Sequence, residues 1–167
     1  MNRILMAALC SLALGGLASP ARALPLIDIS VGGGVVLMGD DPAGAVSAGL
    51  HVPLGPWWGA QASYSRTVID GSLDRSSGSI DYRGQLLGGF LTLTSPSPGI
   101  KFRGKVGLKE ARFSLRHGPQ TERLSSIGPA LGVAVLSRSW QIEAVRSRID
   151  DGSLDRGITR LSLNYVW

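Results

Sequence analysis

Cysteine is all but missing from this chain. Cys10 is the single one in 167 residues, so no intramolecular disulfide can staple the fold. Charge is sparse too, at 17 %, and the arginines behind the formal +5 are scattered rather than gathered in a run. That excludes a basic nucleic-acid tail and a polybasic lipid patch. Histidine is limited to His51 and His117. The longest uncharged apolar stretch, Ile4–Leu17, falls short of the ~20 residues a helix needs to cross a bilayer. The length admits one domain and excludes a multidomain enzyme. Glycine, by contrast, is plentiful: 23 residues, about twice ordinary usage, without a collagen period.

The first 23 residues read as a cleavable export signal. Arg3 gives a positive start, Ile4–Leu17 an apolar centre, and Ala21-Arg22-Ala23 small residues where a signal peptidase cuts. A lipid on Cys10 is the alternative, which the bulky Leu9 before it disfavours. Cleavage after Ala23 leaves residues 24–167 as the domain. It has no cysteine, and removing Arg3 and Arg22 leaves 15 cations against 12 carboxylates. Export without disulfides suits a bacterial envelope protein whose fold is stabilised in another way.

The remainder alternates. Residues 160–167 put Leu161, Leu163, Tyr165 and Trp167 on one face and Arg160, Ser162, Asn164 and Val166 on the other. A period of two over eight residues is a strand with one apolar face. Trp140–Ala144 and Ile100–Val106 repeat the pattern, the latter with Lys101, Arg103 and Lys105 on one face. Pro- and Gly-rich turns separate such segments. Strands are expected at 26–37, 44–53, 57–68, 79–93, 99–114, 123–136, 139–149 and 157–167, with tight turns alternating with longer polar loops at 38–43, 69–79, 115–122 and 149–157. A repeat supports the count: Gln61–Arg75 recurs as Gln141–Arg156 with one extra residue, Asp151.

Alternation alone does not say which face points inward. A soluble barrel of the lipocalin kind hides its apolar face. Here the other face combines ions with glycine (Gly32, Gly34, Gly49, Gly128, Gly132), which suits a narrow interior. Asp28, Asp81 and Glu143 are read as carboxylate partners on that face. The aromatics Trp57, Trp58, Trp140, Tyr165 and Trp167 collect near one end of the strands, as an interfacial girdle does. The expected fold is therefore all-β: an eight-stranded antiparallel up-and-down transmembrane β-barrel, the only sheet that satisfies every amide in hydrocarbon.

The ending Leu161-x-Leu163-x-Tyr165-x-Trp167 resembles the assembly signal of bacterial outer-membrane proteins. From Lys101-Phe102-Arg103-Gly104-Lys105-Val106-Gly107-Leu108 to the end, the chain resembles the OmpA-like and OmpX-like small barrels. Ala23–Gly32 is similar to a group of proteobacterial envelope barrels. The resemblance implies an outer-membrane location, the barrel-assembly machinery as a partner, a monomer, and a lumen plugged by internal ion pairs whose switching permits slight conductance. Carried onto this sequence, that network is Asp28, Lys101, Arg103, Lys105 and Glu143. The chain departs from OmpA in having no peptidoglycan-binding domain, so anchoring to the wall is not implied.

Other chemistry is weakly signalled. His51 is expected to face inward beside Ser47, with no acidic residue evident next to them, and His117 to lie in the third outer loop. A lipid A-modifying enzyme or an omptin-like protease would need more than these supply. The Asp70–Asp74 and Asp150–Asp155 motifs lack the ligand set of a calcium loop and read as solvated turns. Arg66, Arg146 and Arg148 at outer strand ends are candidate contacts for lipopolysaccharide phosphates. No cofactor, metal or nucleic acid is expected. The expected function is that of a non-enzymatic outer-membrane barrel with a structural or surface-interaction role. A narrow channel is the alternative and a lipid A-modifying enzyme the second.

Overall fold

The computed structural model describes residues 27–38, 41–75, 78–117, 120–149 and 156–167. The leader 1–23 and the Asp150–Asp155 motif lie outside them. The elements are antiparallel strands: β1 (Asp28–Met38), β2 (Asp41–Pro53), β3 (Trp58–Ile69), β4 (Gly71–Arg75), β5 (Gly78–Thr94), β6 (Ile100–His117), β7 (Gln120–Ser137), β8 (Trp140–Ile149) and β9 (Arg156–Val166). β1 pairs with both β2 and β9, and β3 pairs with β5, so the sheet closes on itself. β4 carries the line of β3 onward along β5, which makes a wall of eight staves, as the alternation predicts.

Closure is staggered. Stepping from Asp28 through His51, Gln61, Phe90, Gly107, Ala130, Ser147 and Ile158 returns to Met38, ten residues further along β1. For eight strands this stagger corresponds to a tilt of roughly 40°. Both described chain ends meet at one rim, where Ile29 and Trp167 exchange backbone hydrogen bonds of 3.3 and 2.9 Å. That rim also carries the tight turns. Gly99 turns the β5–β6 hairpin at a φ of 93°, a conformation that favours a residue without a Cβ.

The apolar face points outward, the reverse of a soluble barrel. Val133 and Leu131 are each 65 % exposed and Ile142 nearly as much, whereas Glu143, next to Ile142 on β8 and paired with the buried Ala134, is 1 % exposed. Trp57, Trp58, Trp140, Tyr165 and Trp167 girdle the rim of the chain ends. Tyr165 stands edge-on to Trp140 and to Trp167, at 5.4 and 5.0 Å between ring centres.

Towards the distal end the polarity reverses along single strands. On β6, Val106 and Leu108 face outward, followed on the same face by Glu110, Arg112, Ser114 and Arg116. The inward face changes in step, from Arg103, Lys105 and Lys109 to Ala111, Phe113 and Leu115. β5 mirrors this, with Leu91 and Leu87 outside giving way to Gln85, Arg83 and Asp81. Two expectations are thereby corrected. Asp81 faces outward and is exposed, with Tyr82 inward beside it, so it is not an interior carboxylate. The segments read as outer loops are largely strand: β1 ends at Met38 and β2 resumes at Asp41, and β6 runs to His117 before β7 begins at Gln120. A strand above the bilayer meets water on its outer face, so polar residues there do not interrupt it.

Two nearby glycines separate packing from openness. A Cβ at Gly107 would run into the Gly89 carbonyl oxygen and stand 2.8 Å from the Phe90 Cα, whereas at Gly104 nothing lies within 4 Å. Gly107→Val is expected to lower barrel stability by about 1–3 kcal/mol, the usual effect of overpacking. Gly104→Val should change it by less than about 0.5 kcal/mol. Urea unfolding in lipid vesicles, followed by tryptophan emission, measures both.

Candidate functional site

The interior is stacked in layers. Nearest the chain ends, Asp28 on β1 and His51 on β2 are paired residues whose side chains meet, Nδ1 to Oδ2, at 3.0 Å. The other ring nitrogen of His51 lies 3.1 Å from the Thr92 hydroxyl on β5. Arg103 of β6 donates to the Thr94 hydroxyl at 3.1 Å and stands 3.6 Å from the Asp28 carboxylate. His51 thus faces inward as expected, and the acidic residue that sequence reasoning did not find next to it is Asp28. Those residues lie 23 positions apart and meet through strand register.

The middle layer centres on Glu143 of β8. Its carboxylate is held by Lys105 of β6 and Arg160 of β9, and accepts a 2.6 Å hydrogen bond from Gln141. Lys105 also reaches Gln61 on β3 at 3.4 Å and lies 5.1 Å over the Phe90 ring. Ser47 donates to Asn164, which donates to Ser162. Two cations therefore share one carboxylate with both partners buried, so its loss leaves both uncompensated. Lys109, 2 % exposed, has no hydrogen-bond partner on Nζ among the described residues.

The distal layer is apolar. Val36, Met38, Ile80, Leu86, Phe113, Leu115 and Ile158 close over the ions. Tyr82 packs edge-on to Phe113, with 6.1 Å between ring centres, and its hydroxyl donates towards the carbonyls of Asp41 at 2.7 Å and Val36 at 3.2 Å. This layer departs from the polar, glycine-rich interior expected throughout. The glycines Gly32, Gly34, Gly49, Gly128 and Gly132 do face inward.

Of the sequence-read interior residues, Asp28, Arg103, Lys105 and Glu143 enter these clusters. Lys101 is exposed at the rim and joins none of these contacts. Gln61, which the alternation puts on the same inward face, joins the clusters through Lys105. Arg160, Gln141 and Lys109 were missed, although the same alternation places Arg160 and Gln141 on the polar face. The outer arginines do not form one patch. Arg66 on β3 and Arg146 and Arg148 on β8 are exposed and outward, but β3 and β8 are four strands apart in either direction round the wall. On the outer surface Arg83 pairs with Asp70 at 2.7 Å, and Arg112 with Glu110 at 2.7 Å. The Asp70 hydrogen bonds hold the Arg83 guanidinium above its ordinary range. Leu161, Leu163, Tyr165 and Trp167 line the outer face of β9. Among the described residues, no group of acidic residues, histidine and cysteine could hold a metal ion.

The layers respond differently to substitution. Glu143→Ala strands two buried cations and is expected to destabilise the barrel by about 3–5 kcal/mol. Lys109→Met removes an unpartnered buried amine and should leave stability unchanged or raise it by about 1–2 kcal/mol. Denaturant titration in lipid vesicles distinguishes the two.

No protein-family model and no curated protein matches the chain. Solved structures do. The N-terminal β-barrel domain of Pseudomonas aeruginosa OprF is similar at 11 % identity and a TM-score of 0.60, over 84 % of this chain and 96 % of that one. Neisserial surface protein A (NspA) aligns at 12 % and 0.62, over 84 % and 94 %. The attachment invasion locus protein Ail of Yersinia pestis aligns at 15 % and 0.53, over 84 % and 96 %. At such identities the likeness is one of fold. The chain has the fold of the small eight-stranded outer-membrane barrels, in line with the OmpA-like and OmpX-like resemblance of its strands.

Proposed function

We propose that the protein is a closed, monomeric outer-membrane barrel without enzymatic activity, whose role is structural or one of surface interaction through its projecting wall. The observation that carries this reading is the contrast between a filled lumen and that wall. Ion-paired layers and an apolar layer occupy the interior in series. Meanwhile β5, β6 and β7 run 17, 18 and 18 residues, against 10 and 11 for β8 and β9. The long strands stand beyond the apolar belt as a polar-faced sheet. β6 and β7 stay paired to His117 and Gln120. The β7–β8 ladder stops at Ala130, next to Pro129, which has no N–H to continue it.

Several observations support the rest of the reading. The described ends, at Ile29 and Trp167, share the rim with the girdle, as the periplasmic side of such a barrel would, and the outward Leu161, Leu163, Tyr165 and Trp167 offer a signal to the barrel-assembly machinery. A ring closed within one chain leaves no open edge in the bilayer for a second copy. The Asp28–His51–Thr92 chain has the order of a charge relay, yet its hydroxyl is 3 % exposed within the lumen, away from the lipid a modifying enzyme would attack. A narrow channel would have to open both the Glu143 cluster and the apolar layer.

Planar-bilayer recording of the wild-type protein tests the reading. The expectation is a membrane without discrete current steps. Reproducible openings would replace the closed barrel with the channel.

A further inference from the structure

The outer wall carries a furrow of about 800 Å³. Its floor follows one cross-strand row, Trp58–Leu93–Gly104–Val133–Ala144, whose centre and far end are small. At Gly104 a Cβ would meet nothing within 4 Å. The adjoining row, Val106–Leu131–Arg146–Thr159, flanks it. Rows run across strands that are themselves tilted, so the furrow climbs from the aromatic girdle at Trp58 to the level where outward residues turn polar. The five inter-strand steps from β3 to β9 make a path of about 24 Å at ~4.8 Å each.

The two ends differ in chemistry. The outward side chains of the lower stretch are apolar, the buried Thr92 and Lys105 lying behind it in the wall, while the head meets a guanidinium and a hydroxyl. Arg146 is exposed and lies across Gly157, where a Cβ would stand 3.1 Å from its Nε. Among the described residues no carboxylate pairs with Arg146, unlike Arg83 and Arg112. Arg66 stands on the opposite wall, outside the furrow. An apolar trough ending at a cation at the distal side complements an amphiphile whose anionic head lies in the outer leaflet.

We propose that this furrow seats an acyl chain of one lipid A molecule, with a lipid A phosphate on Arg146. The guanidinium fork fits phosphate oxygens in pairs, and the Thr159 hydroxyl beside it can donate to the same group. Gly104 and Ala144 provide the depth a chain needs to lie below the level of neighbouring side chains. The inference rests on the outer-membrane placement and not on the closed lumen, so a conducting barrel would leave it standing.

The test weighs the intact full-length protein, extracted from outer membranes in mild detergent, by native mass spectrometry. R146A removes the head contact and G104L fills the floor. R123A removes an exposed arginine from the distal part of β7 as a charge control. The gel mobility of unboiled samples reports that each variant is folded. Wild type and R123A are expected to retain one lipid A, and R146A and G104L about tenfold less, the scale of one lost charge-assisted contact. Equal retention by all four proteins, phospholipid in place of lipid A, or no bound lipid on the wild type would each overturn the proposal.

Discussion

Everything in this molecule follows from what lies outside each stretch of strand. In hydrocarbon a backbone amide has no water to bond, so the sheet must close, and each outward side chain must be apolar. The eight staves meet the first demand within one chain, and the Val106, Leu131 and Val133 face meets the second. Once β5 and β6 pass the level of Gln85 and Glu110, water replaces lipid outside, and the polarity of both faces changes over. The lower part is a membrane barrel with an ionic interior. The upper part has the polarity of a soluble barrel, with Tyr82, Phe113 and Leu115 inside.

That changeover accounts for the interior. Where lipid covers the outside, the pleat leaves the inward positions to polar residues, and burial in a narrow lumen favours pairing among them, with Lys109 left unpartnered among the described residues. Glu143 serves Lys105 and Arg160 together, and Asp28 serves His51 and Arg103. Above the changeover the inward positions are apolar and close the lumen by packing. On the closed-barrel reading proposed above, two unlike materials obstruct the same path, so rearranging one ion pair would not open it.

The sequence made the strands legible because period two over long stretches has few competing readings. The estimate 139–149 stands against β8 at Trp140–Ile149, and 157–167 against β9 at Arg156–Val166. The errors share one cause. Polar residues were assigned to the lumen or to loops, a rule valid only within the bilayer, so Asp81 was turned inward and the ends of β6 and β7 were read as loop. The Asp28–His51 contact escaped because strand register, unlike periodicity, is not written in either strand alone. Arg160 was visible on the polar face of the final strand but was not connected to Glu143, which it meets diagonally across the β8–β9 hairpin, where the register pairs Arg160 with Val145 and Glu143 with Ser162.

The polarity changeover on β6 is the claim most open to direct measurement. With Cys10 replaced by serine the chain has no cysteine, so spin labels can be placed singly at Val106, Leu108, Arg112 and Ser114 in native membranes. Relaxation by oxygen reports lipid, and relaxation by a water-soluble nickel chelate reports solvent. The account predicts oxygen dominance at Val106 and Leu108, chelate dominance at Arg112 and Ser114, and a crossing between Leu108 and Arg112. Chelate access at all four positions, or oxygen dominance throughout, would contradict it.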